Sequence, residues 1–147
     1  MAIEKHFVKE GIKESQIQEF LMKPNLARIG TLNPDGSPHV TPIWFLYSDG
    51  AVTFSIGKGT QKARNLSRDN RVSLCIDERE DPNRTVILNG YAIPMDDTSR
   101  EYRLQASIHY LGEDRGREYY RETEDFPSTT YRVEPTKTIS WYYVTQQ

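Results

Sequence analysis

The chain has 147 residues, with 19 Lys and Arg against 21 Asp and Glu and a formal net charge of −2 at pH 7. That length suits one domain, expected over residues 1–147, which buries about two thirds of the surface its unfolded chain exposes. The charge balance, with no polybasic tail and no aromatic-interleaved basic stripe, argues against nucleic acid as a partner, and no apolar run approaches a membrane span. The opening Met1-Ala2-Ile3-Glu4-Lys5-His6 lacks the apolar centre of a signal peptide, and the single cysteine, Cys75, has no internal disulfide partner, so a reducing cytoplasm is the expected setting.

Ser15 and Gln18 stand at capping-box spacing, and Ile17, Phe20 and Leu21 recur at helical intervals, which predicts a short amphipathic helix over 15–23 ending near Pro24. Leu26 to Asn33 reads as a strand, Asn33-Pro34-Asp35-Gly36 as a tight turn, and His39 to Tyr47 as a second strand rich in β-branched and aromatic residues. Ser48-Asp49-Gly50 turns the chain into Ala51 to Ile56, which predicts a three-stranded antiparallel meander. After a basic helix come a strand from Val72 to Asp77, a charged loop over 78–83, and a strand from Arg84 to Met95 in which Gly90 marks a bend or a close neighbour. Thr98 and Glu101 form a second capping box, Leu104, Ile108 and Leu111 give the next helix an apolar stripe, and Gly112 stops it. A polar helix over 113–122 and strands from Thr130 to Val133 and from Lys137 to Val144 complete the chain. About seven strands with turns at short intervals predict a mainly β, α+β domain, a barrel-like antiparallel sheet with short covering helices.

One segment carries chemistry. Phe54-Ser55-Ile56-Gly57-Lys58-Gly59-Thr60-Gln61-Lys62-Ala63-Arg64 runs from an apolar strand through two glycines into a helix that Thr60 can cap. The first turn of a helix offers N–H groups without intrahelical partners and a partial positive charge, so with Lys58, Lys62 and Arg64 beside it the segment reads as a seat for a phosphate. It lacks both the Gly-Lys-Ser/Thr ending of a P-loop and the spacing of a dinucleotide-binding fingerprint. The competing reading makes Lys62, Arg64 and Arg68 the solvated face of a helix whose Ala63 and Leu66 face the core.

Three stretches carry a resemblance: Leu26-Ala27-Arg28-Ile29-Gly30-Thr31-Leu32, then Asp35-Gly36-Ser37-Pro38-His39-Val40-Thr41-Pro42-Ile43-Trp44-Phe45, then Lys62-Ala63-Arg64-Asn65-Leu66-Ser67-Arg68-Asp69-Asn70-Arg71-Val72. In this order, and more faintly through Gly90 to Ile139-Ser140-Trp141, the chain resembles the split β-barrel flavin and deazaflavin oxidoreductases of the pyridoxamine 5′-phosphate oxidase superfamily. The resemblance implies a homodimer of six-stranded antiparallel split barrels with a cofactor in each groove between subunits. It sets Ser55, Thr60, Gln61, Lys62 and Arg64, with Lys58 beside them, at the cofactor phosphate, and His39, Thr41, Pro42, Ile43 and Trp44 along the cofactor ring. Arg84, Thr85 and Trp141 correspond to the side completed by the partner subunit, which varies within the family. The arginine of the true oxidases on the second strand and their longer C-terminal substrate segment are not evident, so oxidation of pyridoxine phosphate is not expected. The run Arg64-Asn65-Leu66 followed by Arg68-Asp69 and Arg71 looks more like the branch that binds the deazaflavin coenzyme F420; FMN, which uses the same seat, is the alternative.

The implied activity is hydride transfer between reduced F420, or FMN, and a small conjugated organic substrate. A carrier of flavin or deazaflavin without catalysis, or a haem-binding split barrel, is the alternative. In such an enzyme the ring performs the chemistry, so no acid–base pair is required of the protein. His6, His39 and His109 have no ligand spacing to one another or to Cys75, so no metal site is expected. His39 is read either as a donor to the ligand or as a solvated imidazole, and Trp44 either as a wall of the ring site or as a core aromatic.

Overall fold

Alternating apolar residues organise the chain into one curled antiparallel sheet. The structure, a computed structural model, describes residues 6–96 and 99–146. Its strands are β1 (His6–Glu10), β2 (Ala27–Leu32), β3 (Pro38–Ile43), β4 (Leu46–Ser48), β5 (Ala51–Gly57), β6 (Arg71–Asp77), β7 (Thr85–Pro94), β8 (Ser128–Val133) and β9 (Lys137–Gln146). Its helices are α1 (Glu14–Leu21), α2 (Gln61–Arg68), α3 (Ser99–Leu111) and α4 (Glu113–Thr123).

The strand order is β3-β2-β6-β7-β8-β5-β4, with β9 pairing both β7 and β1. β3 and β4 stand at opposite ends of that path, yet only Trp44 and Phe45 separate them in the chain. The sheet must therefore curl until its ends approach, which is the split barrel. Inside it, β5 buries Val52, Phe54 and Ile56, and β6 buries Val72, Leu74 and Ile76, each at every second residue. Phe20 and Leu21 of α1 cover part of the same core.

The meander expected at the start differs in one respect. β3 pairs β2 and β4 pairs β5, but the run from His39 to Tyr47 breaks at Trp44-Phe45, so its halves serve opposite ends of the sheet. That break, together with β1 on β9, brings the strands to nine among the described residues. Gly90 lies where β7 changes partners, from β9 at residues 85–89 to β8 at residues 92–94. A Cβ there would stand 3.0 Å from Val133 Cγ1 and 3.1 Å from the Glu134 carbonyl, so the close neighbour expected at Gly90 is present.

α1 begins at Glu14, with Lys13 in the cap position and no side-chain cap, so the Ser15 and Gln18 box does not form. Of the second box, Thr98 lies outside the described residues. α3 buries Tyr102, Ala106 and Ser107, and Leu111, from the stripe expected of Leu104, Ile108 and Leu111, is exposed. Packing against α4 sets this phase. Gly112, at φ 87°, ends α3 and starts α4, and at Gly116 the two helices meet so closely that a Cβ would lie 2.5 Å from Ile108 Cα. The Arg103 guanidinium then donates to the carbonyls of Thr123, Glu124 and Phe126, tying the end of α4 back onto α3. The result is a helical hairpin laid across the Trp44 corner.

Candidate cofactor site

The phosphate-seat segment folds as its residue types dictate. Gly59 takes φ 83°, a conformation that costs little only without a side chain, and this delivers the chain to the Thr60 cap. The Thr60 hydroxyl donates to the Gly57 carbonyl at 2.9 Å and accepts from the Ala63 N–H at 3.3 Å, so the cap expected at Thr60 is formed. Gln61 bonds Asn65, which is fully buried and reaches Thr31 and Asn33 on β2 and its turn. This polar buttress holds α2 against the barrel. Arg64 folds back on its own loop, donating to the Gly59 carbonyl at 2.6 Å and to Gln61 Oε1 at 2.8 Å.

Beside α2 opens a cavity of about 430 Å³. Its barrel wall consists of Pro42, Ile43, Trp44, Ser55, Gly57 and Lys62. The opposite wall is the helical hairpin, through Tyr102, Arg103, Ala106, Ser107, Tyr119 and Thr123, with Phe126 beyond its end and Ser128, on β8 opposite Gly57, joining the two walls. Trp44 forms the corner, stacked on Tyr110 at 4.9 Å and tilted against Tyr119 at 5.6 Å. Thus Trp44 is both a wall of the cavity and a packed aromatic. Burial pushes the Tyr110 phenol up to about 12, and that of Tyr102 higher still, so both stay neutral.

Two polar groups on the barrel wall are incompletely satisfied. Lys62 is half-buried, and its Nζ donates to Thr41 Oγ1 at 3.2 Å; among the described residues no carboxylate forms an ion pair with it. Burial lowers its pKa below the ordinary 10.5. The Ser55 hydroxyl is buried with no hydrogen-bond partner among the described residues. A half-buried ammonium without a counter-ion and a buried hydroxyl without a partner both cost free energy, which an anionic ligand would recover.

Of the residues picked out in the sequence, Pro42, Ile43, Trp44, Ser55 and Lys62 line this cavity, and Thr41 joins them through Lys62. Thr60, Gln61 and Arg64 shape the helix start through contacts within the segment. Lys58 lies on an adjoining cleft with Arg100 and Arg103, His39 is on β3 opposite Thr31, and Trp141 is on β9 opposite Thr85, none of the three lining the cavity. The sequence does not point to the hairpin side, because Tyr119 and Thr123 sit in a segment that looks merely polar. The available signal was Tyr102, Arg103, Ala106 and Ser107, two pairs at i and i+4 that share a helix face. Among the described residues no group of three His, Cys, Asp or Glu could hold a metal ion, and no helix is long and apolar enough to cross a membrane.

A split barrel with a cavity between its corner strand, the start of α2 and a helical hairpin defines the class of protein. The chain belongs to the pyridoxamine 5′-phosphate oxidase family, whose model matches residues 14–142. No curated protein matches it in sequence. Among solved structures it is similar to a conserved hypothetical protein from Mycobacterium tuberculosis, with 26% identity, a TM-score of 0.76, and coverage of 89% of this chain and 85% of that one. It is also similar in fold to an F420 reductase, with 20% identity, a TM-score of 0.68, and coverage of 82% and 94%. A FAD-binding protein from Mesorhizobium loti shares 17% identity over 95% of this chain and 99% of that one, with a TM-score of 0.70.

Proposed function

We propose that the cavity binds a phosphate-bearing redox cofactor, coenzyme F420 or alternatively FMN, and that the protein transfers hydride between the reduced cofactor and a small conjugated organic substrate. The observation that carries this reading is the pairing of the unpartnered Ser55 hydroxyl with the half-buried Lys62 on one wall of the cavity. An ammonium, a hydroxyl and the start of a helix form a donor set suited to a phosphate, and about 430 Å³ lies within the ordinary range for a small-molecule site. Fold neighbours that include an F420 reductase and a FAD-binding protein support a cofactor of the flavin type.

When bound, the cofactor ring supplies the two-electron chemistry. The protein binds, orients and shields. In this reading Lys62 and Ser55 hold the phosphate, Pro42, Ile43 and Trp44 flank the ring, and the hairpin excludes water from the reacting face. Neither Tyr102 nor Tyr110 ionises in the working range, so neither adds a negative charge to the site. A second copy of the chain completes the groove, as the family resemblance implies, and a cytoplasmic setting keeps the half-buried Cys75 reduced.

The test is to record the absorbance of the purified protein, identify by mass what heat releases, and titrate F420, FMN and haem. Saturable binding of F420 or FMN, with the cofactor-loaded protein at dimeric mass, is the expected result. A haem spectrum would replace the proposal with the haem-binding reading, and binding of none of the three would overturn both.

A further inference from the structure

The two walls of the cavity differ in hydrogen-bonding sense. On the helical wall, three hydroxyls already donate their protons to backbone carbonyls: Tyr102 to Trp44 at 3.5 Å, Ser107 to Arg103 at 2.7 Å and Thr123 to Tyr119 at 2.8 Å. Each retains acceptor lone pairs. The cation on this wall, Arg103, turns to the carbonyls at the end of α4. The barrel wall has the opposite sense, with the Lys62 ammonium and the unpartnered Ser55 hydroxyl.

We infer that the helical end of the cavity selects a flat, neutral substrate bearing an N–H or O–H donor, which Ser107 and Thr123 accept. This rests on the proposed cofactor site and adds the substrate class to it. Burial strengthens the preference. Ser107 is 3% exposed, so its remaining lone pairs meet little water in the ligand-free protein and gain more from a ligand's donor than those of a solvated hydroxyl would. Aromatic faces at Trp44 and Tyr119 favour a planar molecule, and among the described residues the cavity lining contains no carboxylate to attract a cation.

The experiment measures binding of two matched probes to the cofactor-loaded protein: an amino-substituted naphthoquinone, and menadione, which carries a methyl group at the same ring position. The parent should bind the amino compound at least about fivefold more tightly, the scale of one net hydrogen bond. Ser107→Ala and Thr123→Val should each reduce that preference toward parity while leaving menadione binding and the melting temperature near the parent's. F420 and FMN dissociation constants, measured separately on the same variants, should stay within about twofold of the parent's. Equal binding of the two probes by the parent, absence of binding by either, or unchanged preference in both variants overturns the inference while leaving the cofactor reading intact. A loss of cofactor affinity with unchanged probe preference would also overturn it, by assigning those acceptors to the cofactor. Failure of cofactor binding in the parent would instead strike the proposed function itself.

Discussion

The two walls of the cavity reach rigidity by opposite routes. The helical wall is internally closed: Gly116 lets α4 lie against the backbone of α3, Arg103 satisfies three carbonyls at the end of α4, and the hydroxyls of Ser107 and Thr123 return to their own helices. The barrel wall is held by the sheet beneath it and by Asn65, but among the described residues leaves Lys62 without a counter-ion and Ser55 without a partner. The difference teaches where to look for a ligand: in the proposed reading the wall that does not satisfy itself takes the anion, and the satisfied wall gives shape.

The largest effect should come from breaking the closed wall. Gly116→Val places atoms inside the backbone of Ile108, and the hairpin should lose about 3 kcal/mol or more of stability, read as a fall in the denaturation midpoint. A smaller effect of opposite sign is expected on the open wall. Lys62→Met removes a desolvated charge and should stabilise the ligand-free protein by up to about 1 kcal/mol while impairing cofactor binding.

The pH dependence sharpens this second case. Burial lowers the Lys62 pKa, so between that lowered value and 10.5 the unfolded chain holds more protons than the folded one. The Lys62 contribution to stability therefore rises as pH climbs through that window, against the fall from Tyr102 and Tyr110, whose raised pKa values let the unfolded chain lose their protons first. The stability of Lys62→Met relative to the parent should accordingly decline across it. Urea midpoints at several alkaline pH values check it.

Ser55→Ala should be milder, weakening cofactor binding about fivefold with ligand-free stability unchanged or slightly raised, because the hydroxyl has no partner to lose. Smallest of all, His39→Ala should keep turnover within about tenfold at saturating cofactor, since the imidazole does not line the cavity and the proposed function leaves the hydride chemistry to the cofactor ring.

Legibility in the sequence followed the same division. Strands with strict alternation, such as β5 and β6, and turns with glycine, such as Asp35-Gly36, stood out because burial and backbone freedom act on neighbouring residues. Thr60 as a cap and Lys62 as an anion ligand candidate were legible because the helix start is a local event. The break at Trp44-Phe45 was not, since only closure of the barrel demands it and the run from His39 to Tyr47 is uniformly strand-like. The phase of α3 was also hidden. It depends on Gly116 of another helix admitting close packing, which outweighs the apolar character of Leu104, Ile108 and Leu111. The helical wall therefore entered the site only through tertiary structure.

The most direct measurement compares two neighbouring cations of α2. Cofactor dissociation constants should be determined for the parent, Lys62→Ala and Arg64→Ala, with melting curves to confirm folding. Lys62→Ala should lose about 1.5–3 kcal/mol of binding, the range for a hydrogen bond to a charged group, or roughly 10- to 150-fold in affinity. Arg64→Ala, whose guanidinium is turned onto Gly59 and Gln61, should lose much less. Parent-like binding in Lys62→Ala would contradict the account, because the lysine would then be one more charge on a solvated helix face.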